Sequence, residues 1–117
     1  SLVVIGGKVD LKTGAAIGAQ SIRELQQFRP DIAVIGACAV DASAGVTAFD
    51  ADDAMFKRAL VELCPLRFVA STDEKIATVA PFPVMPVAMI NHLFVSVSLE
   101  RDRLAPLQAA TAQVHSV

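Results

Sequence analysis

The chain has 117 residues, the size of one small domain. Hydrophobic residues make up 54% of it and charged residues only 19%, so we expect it to bury surface against a partner as well as in its own core. A formal net charge of −2 without a basic block argues against direct binding of this chain to nucleic acid. No run approaches the roughly 18 apolar residues of a membrane-spanning helix, and no secretion signal is visible, so we expect a cytoplasmic protein without a membrane partner.

The first segment predicts a strand followed by a helix. Residues 2–7 form a β-branched apolar run closed by two glycines, typical of a buried strand that ends in a turn. A polar connection follows, and residues 21–28 then carry apolar side chains at helical spacing. Ser21 and Glu24 occupy the two positions of an N-terminal capping box, and Pro30 marks the end of the predicted helix.

A second strand and a second helix are predicted next. Residues 31–40 are continuously apolar after Asp31, a pattern typical of a strand covered on both faces in a parallel sheet. Residues 50–63 have one apolar helical face, and Asp50 with Asp53 predicts a capped N-terminus. Acidic residues in the first turn also suit the positive end of the helix dipole. The helix is predicted to end before Pro65.

The last third predicts two more strands and a weaker helix. Residues 66–71 and 92–99 read as strands, whereas the proline-interrupted residues 81–86 read as irregular. The helix predicted over residues 103–114 places Pro106 in its first turn. Strands that alternate with helices predict an α/β fold, with a mostly parallel sheet, helices on both faces and a Rossmann-like arrangement.

The predicted fold selects the candidate site residues, because ligands bind beyond the carboxyl ends of parallel strands. The polar or small residues that follow the strands, or begin the second helix, are Cys38, Asp41, Gly45, Thr47, Asp53 and Lys75. Together they suit a polyol, since the carboxylates accept hydrogen bonds from hydroxyl groups and the lysine donates them.

Each candidate also has a purely structural interpretation. Asp41 can begin a turn, and Gly45 can supply a positive φ. Asp53 belongs to a group of acids that commonly cap helices. Lys75 stands in a polar break between apolar runs, where an exposed lysine is usual.

The cysteines and histidines indicate neither a metal site nor a disulfide. Cys38 and Cys64 are expected to be small core residues in a reducing compartment. His92 and His115 have no acid or nucleophile near them in sequence, so a structural role is expected. We predict no metal, no cofactor and no catalytic residue.

Five motifs in order carry a family resemblance. They are IGG at residues 5–7, DIAVIGA at 31–37, VDASAGVT at 40–47, DAMFKRAL at 53–60 and STDEKI at 71–76. In this order they resemble the C-terminal sensor domain of DeoR-type transcriptional regulators, over nearly the whole chain.

The resemblance implies a fold and a function. Such domains are similar to ribose-5-phosphate isomerase and CoA-transferase-like domains, bind phosphorylated sugars or related metabolites, and belong to homo-oligomeric regulators, typically repressors. Binding of the effector weakens operator binding by an N-terminal winged helix-turn-helix. Residues 1–117 would then be part of the sensor domain, without that DNA-binding domain. The resemblance places Cys38, Asp41, Gly45, Thr47, Asp53 and Lys75 at the effector pocket.

Departures from the family pattern keep alternatives open. Thr72 stands where the family has the aspartate of its Asp-x-x-Lys motif, Ile76-Ala77 replaces Phe-Gly, and residues 95–97 replace Ile-Thr-Asp. The lysine expected near the Gly-Thr turn of the isomerases is absent, which argues against isomerase activity. The alternatives are a sugar-phosphate isomerase-like enzyme and a degenerate scaffold that binds no ligand.

Overall fold

The computed structural model describes residues 1–111 and 113–117. Within them the chain is α/β. The helices are α1 (Ala19–Leu25), α2 (Ala51–Leu63) and α3 (Arg101–Ala110). The strands are β1 (Val9–Asp10), β2 (Ala15–Ala16), β3 (Ile32–Gly36), β4 (Ala39–Asp41), β5 (Gly45–Ala48), β6 (Leu66–Ala70), β7 (Phe82–Met85), β8 (His92–Val95) and β9 (Val114–Ser116). Short 3-10 turns lie at Asp73–Lys75 and Val87–Met89.

A four-stranded parallel sheet organises the fold. Its strand order is β3-β6-β8-β9, and every neighbouring pair is parallel. One face of this sheet is buried in the core, through Ile35, Val69, Leu93 and Val95. The predicted α/β class and the predicted parallel sheet are therefore confirmed, and β9 is a strand that the sequence did not predict.

The opposite face of the parallel sheet is open. Ile32, Val34 and Leu66 are 46%, 74% and 41% exposed. They alternate along β3 and β6 with buried residues, so they all point to this second face. The prediction of helices on both faces is therefore not met in the described part of the chain, where no helix covers these side chains.

The predicted strand over residues 31–40 divides between two sheets. β3 joins the parallel sheet, whereas β4 pairs with β5 in a three-stranded antiparallel sheet of order β4-β5-β7. The sequence pattern missed β7, because Pro83 and Pro86 suggested an irregular segment. β7 is an edge strand, and proline is tolerated at an edge since it needs no ladder hydrogen bond there.

In the N-terminal segment the predicted helix is present as α1, two residues earlier than expected, but the predicted strand and capping box are wrong. Residues 2–7 form no strand, and the hairpin β1-β2 follows them instead. Helix α1 begins after Gly18, without a side-chain cap. Ser21 lies inside the helix and donates to the Gly6 carbonyl at 2.8 Å, while the Glu24 carboxylate accepts from the Gly6 N–H at 2.7 Å. The pair predicted as a capping box thus tethers the preceding segment.

Helices α2 and α3 agree more closely with the helices predicted from the sequence. The Asp50 carboxylate accepts a hydrogen bond from the Asp53 N–H at 2.9 Å, so the predicted cap of α2 is confirmed. Helix α3 begins at Arg101, two residues earlier than predicted, and ends at Ala110. Pro106 therefore lies inside the helix rather than in its first turn.

Removing the α2 cap is expected to lower stability without disturbing the sheets. Asp50→Ala leaves the Asp53 N–H without its acceptor, which costs about 1 kcal/mol. Asp52→Ala is the matched control, because it removes an exposed acid from the same turn but no cap. Urea denaturation followed by circular dichroism measures the difference. Equal unfolding free energies for the two variants would show that the cap is not stabilising.

Candidate functional site

A cavity of about 570 Å³ lies at the carboxyl end of β3. We call it the β3 cavity. Its volume falls within the range of small-molecule sites. The polar side chains that line it are those of Asp10, Thr13, Cys38, Asp50, Asp53, Lys57 and Lys75. Three of the six predicted site residues, Cys38, Asp53 and Lys75, are thus brought together.

Three of these side chains are in mutual contact. The Lys57 ammonium donates to the Asp53 carboxylate at 2.8 Å and to the Cys38 sulfur at 3.4 Å. Cys38 in turn donates to the same carboxylate oxygen at 3.5 Å. Asp53 and Lys57 are four residues apart on α2, and this spacing places them on one helix face. Both side chains are largely buried, at 23% and 15% exposure, so their charges are screened less than those of surface groups.

Lys75 joins the cavity from a different element. It ends the 3-10 turn that follows β6, and it also lines a second cavity of about 530 Å³. We call this the β6 cavity. The carboxyl ends of β6 and β8 and residues 71–75 form its wall, together with Val117. The two cavities therefore meet at the lysine.

The hairpin β1-β2 supplies an acid to the β3 cavity. Asp10 accepts hydrogen bonds from the Lys12 N–H at 2.9 Å and from the Thr13 hydroxyl at 3.0 Å. The Lys12 N–H, followed by the Thr13 hydroxyl, lowers the pKa of Asp10 below its ordinary value. The carboxylate is therefore ionised at neutral pH. Together with the two lysines it gives the cavity both hydrogen-bond acceptors and cationic donors.

The remaining three predicted site residues lie elsewhere and shape the β4-β5 hairpin. The Asp41 carboxylate accepts from the N–H groups of Ser43 and Ala44 at 2.9 and 2.8 Å. Thr47 is 3% exposed, and its hydroxyl accepts from the Ala80 N–H at 2.8 Å. Gly45 has a φ of 79°, with its α-carbon packed against the backbone of β7.

The hairpin explains why the six residues separate. The sequence pattern treated residues 31–40 as one strand, so Asp41 was placed at the edge of the parallel sheet. Because β4 belongs to the antiparallel sheet, Asp41 instead lines a small cavity of about 140 Å³ with Ala77 and Arg103. Among the described residues, those that line the β3 cavity include none from this hairpin turn.

Sequence reasoning missed Lys57, Asp10 and Thr13. Lys57 had a usable signal, since it follows Asp53 by four residues on a predicted helix. Asp10 and Thr13 had none, because their segment was predicted to be a plain connection. The folding of β1-β2 beside α2 is a tertiary contact that local pattern does not encode.

The histidines and the second cysteine lie away from this cavity. His92 Nδ1 and His115 Nε2 are 3.0 Å apart on neighbouring strands, and both rings pack with phenylalanines of the open sheet face. Cys64 is 1% exposed, and burial raises the pKa of its thiol. Among the described residues no group of three His, Cys, Asp or Glu side chains is placed to hold a metal ion.

Comparison with known proteins decides the family. A family model described as the DeoR C terminal sensor domain matches residues 1–97. The chain belongs to this family. A relative, the uncharacterized HTH-type transcriptional regulator FruR of Bacillus subtilis (strain 168), is 30% identical over 80 residues. That alignment covers 68% of this chain and 32% of the relative, so the chain spans about a third of the relative's length.

Membership of the DeoR sensor family determines the kind of domain. The domain is a sensor domain of the DeoR type and not an enzyme. The match ends at residue 97, so α3 and β9 lie beyond the matched region. None of the helices in residues 1–111 and 113–117 has the length and apolar character needed to cross a membrane.

Proposed function

We propose that the β3 cavity binds a phosphorylated sugar or a related small metabolite in the cytoplasm. Occupancy of the cavity weakens operator binding by a winged helix-turn-helix domain that precedes this chain, so that the whole protein acts as a repressor. One observation carries the proposal. Two lysines from different elements, Lys57 and Lys75, converge with Asp10 and Asp53 in one cavity of ligand size.

The chemistry of the lining supports this class of ligand. A phosphate group is met by ammonium donors, whose hydrogen bonds to a charged acceptor are stronger than those between neutral groups. The N-terminus of α2 borders the cavity through Asp50 and Asp53 and adds the positive end of a helix dipole. Sugar hydroxyls need acceptors, which Asp10 and Asp53 provide. Phe49 and Ile17 give the apolar wall on which a sugar ring can pack.

The proposal revises the set of residues expected to contact the effector. Cys38, Asp53 and Lys75 remain effector-contacting residues, and Lys57 and Asp10 join them. Asp41, Gly45 and Thr47 act indirectly, because their observed contacts hold the β4-β5 hairpin.

We further propose that the regulator is a homo-oligomer and that its sensor domain is completed in a two-faced, Rossmann-like form. The open apolar face of β3 and β6 supports both statements, because exposed surface of this kind is usually covered. DNA binding is assigned to the winged domain alone. The net charge of −2 gives this chain no electrostatic attraction to phosphate backbones.

Release of operator DNA tests the proposed function. The full-length regulator is first bound to a labelled operator fragment selected from its own genome. It is then titrated with pentose and hexose phosphates, with the unphosphorylated sugars as matched controls. Fluorescence anisotropy should show release by at least one sugar phosphate at concentrations where its parent sugar has no effect. Release by none of them, or equal release by the parent sugars, would contradict the assignment of a phosphorylated effector.

A further inference from the structure

Helix α3 donates hydrogen bonds to the backbone of the loop that carries Lys75. One Nη atom of Arg103 donates to the Asp73 carbonyl at 2.7 Å and to the Ile76 carbonyl at 2.6 Å. These two carbonyls bracket Lys75 in the chain. The Ser98 hydroxyl donates to the Asp73 carboxylate at 2.7 Å, so the loop is fixed through both its backbone and a side chain.

The same loop contains a strained residue. Ala77 has a φ of 58°, in the left-handed region that disfavours residues with a β-carbon. Its N–H donates to the Val40 carbonyl at 2.7 Å, which holds the residue in that conformation. Strain of this kind persists only where the surrounding contacts determine the backbone, and the Arg103 guanidinium on α3 holds the carbonyl of the preceding residue, Ile76.

We call the hydrogen bonds from Ser98 and Arg103 to this loop the clamp. Both residues lie in the part of the chain outside the family match. Ser98 and Arg103 both follow residue 97, where the match ends. The same segment is anchored to the sheet through β9, which pairs with β8, and Val117 reaches the β6 cavity beside Lys75. The C-terminal segment therefore contacts the loop at its backbone and borders the cavity into which the loop faces.

We propose that Arg103 is a positioning residue of the effector site. By fixing the Asp73 and Ile76 carbonyls, it sets the place of the Lys75 ammonium between the β3 and β6 cavities. The C-terminal segment thereby controls how well the site meets an anionic ligand. This inference rests on the proposed function for its effect on ligand binding, but the clamp itself is a property of the ligand-free protein.

The first test is made without ligand, in the full-length regulator. Arg103→Ala should raise amide hydrogen exchange about tenfold within residues 72–78, where Lys75 and Ile76 donate hydrogen bonds inside the turn. The acylation rate of Lys75, measured by mass spectrometry, should change at least threefold relative to that of exposed Lys12. Arg101→Ala is the matched control, because it removes an exposed arginine from the first turn of the same helix. Arg103→Lys should restore part of the protection, since an ammonium can still donate to both carbonyls.

A faster exchange that is spread over the whole chain would show that Arg103 supports only global stability. Unchanged exchange in residues 72–78, or an unchanged Lys75 acylation rate, would overturn the clamp. These outcomes do not depend on the identity of the effector.

The second test uses inorganic phosphate as the probe, with its dissociation constant measured by phosphorus NMR. Arg103→Ala should weaken phosphate binding three- to tenfold, Arg103→Lys less, and Arg101→Ala not at all. Equal affinity of Arg103→Ala and wild type, with Lys75→Ala weakened, would overturn the positioning role. If the wild type binds no phosphate while the ligand-free measurements change as expected, the phosphate assignment of the site fails and the clamp stands.

Discussion

Replacing Lys75 by alanine should weaken effector binding by about ten- to a hundredfold. A hydrogen bond to a charged group contributes roughly 1.5–3 kcal/mol, and each 1.4 kcal/mol is about tenfold in the dissociation constant. Lys75 lines both cavities, whereas the Lys57 ammonium is already paired with the Asp53 carboxylate. Isothermal titration of the full-length regulator with the sugar phosphate that releases its operator measures the change.

Lys12→Ala is the matched control for this experiment. It removes the same charge from an exposed position, while the hydrogen bond that Asp10 receives there comes from the backbone and survives. Its affinity should equal that of the wild type. Equal loss in Lys12→Ala and Lys75→Ala would show that only the overall charge matters, and no loss in either would remove Lys75 from the site.

Gly45→Ala should destabilise the sensor domain by about 3 kcal/mol or more. A left-handed φ costs a residue with a β-carbon roughly 1–2 kcal/mol, and overpacking adds about 1–3 kcal/mol. At Gly45 the added carbon would collide with the Met85 carbonyl of β7, a backbone atom that cannot move without breaking the β5-β7 pairing. The free energy of unfolding, from urea denaturation of the full-length regulator, measures this cost.

Gly14→Ala separates the two contributions. Gly14 has a φ of 69°, but a β-carbon there meets nothing within 4 Å. It should therefore show only the backbone cost of about 1 kcal/mol. Effector affinity should persist in the folded fraction of Gly45→Ala. If Gly45→Ala unfolds no more easily than the wild type but binds the effector poorly, Gly45 lies against the ligand instead of against β7.

Three of the four strands of the parallel sheet could be predicted, because their signals are local. The apolar runs of β3, β6 and β8 and the capped, amphipathic α2 each show their type within a few residues. Their alternation then determines the parallel sheet. The cap at Asp50 was found for the same reason, since both of its partners lie within one turn.

The antiparallel sheet could not be predicted in the same way. β5 has four residues and follows a turn, and β7 contains proline, so neither has a clear strand pattern. Their pairing joins residues 46 and 85 across the length of α2 and β6. Only that long-range pairing shows that Gly45 and Thr47 belong to a sheet and not to a ligand loop.

Only part of the candidate site could be predicted, again because the signals in the sequence are local. Cys38, Asp53 and Lys75 follow strands of the parallel sheet or begin its covering helix, so the rule for strand ends found them. Asp41 follows β4, which has left that sheet, and the same rule misplaced it. Asp10 enters the cavity through tertiary packing of a hairpin whose strands have two residues each, and such short strands have no signal of their own in the sequence.

Thiol alkylation tests most directly whether the effector occupies the β3 cavity. Cys38 lines that cavity, whereas Cys64 is buried in the core and serves as the internal control. The full-length regulator is treated with iodoacetamide, with and without a saturating sugar phosphate that releases its operator. Peptide mass spectrometry should show Cys38 alkylated at least fivefold more slowly with the ligand, while Cys64 stays largely unmodified in both samples. An unchanged rate at Cys38, under conditions where the same ligand releases the operator, would place the effector outside this cavity.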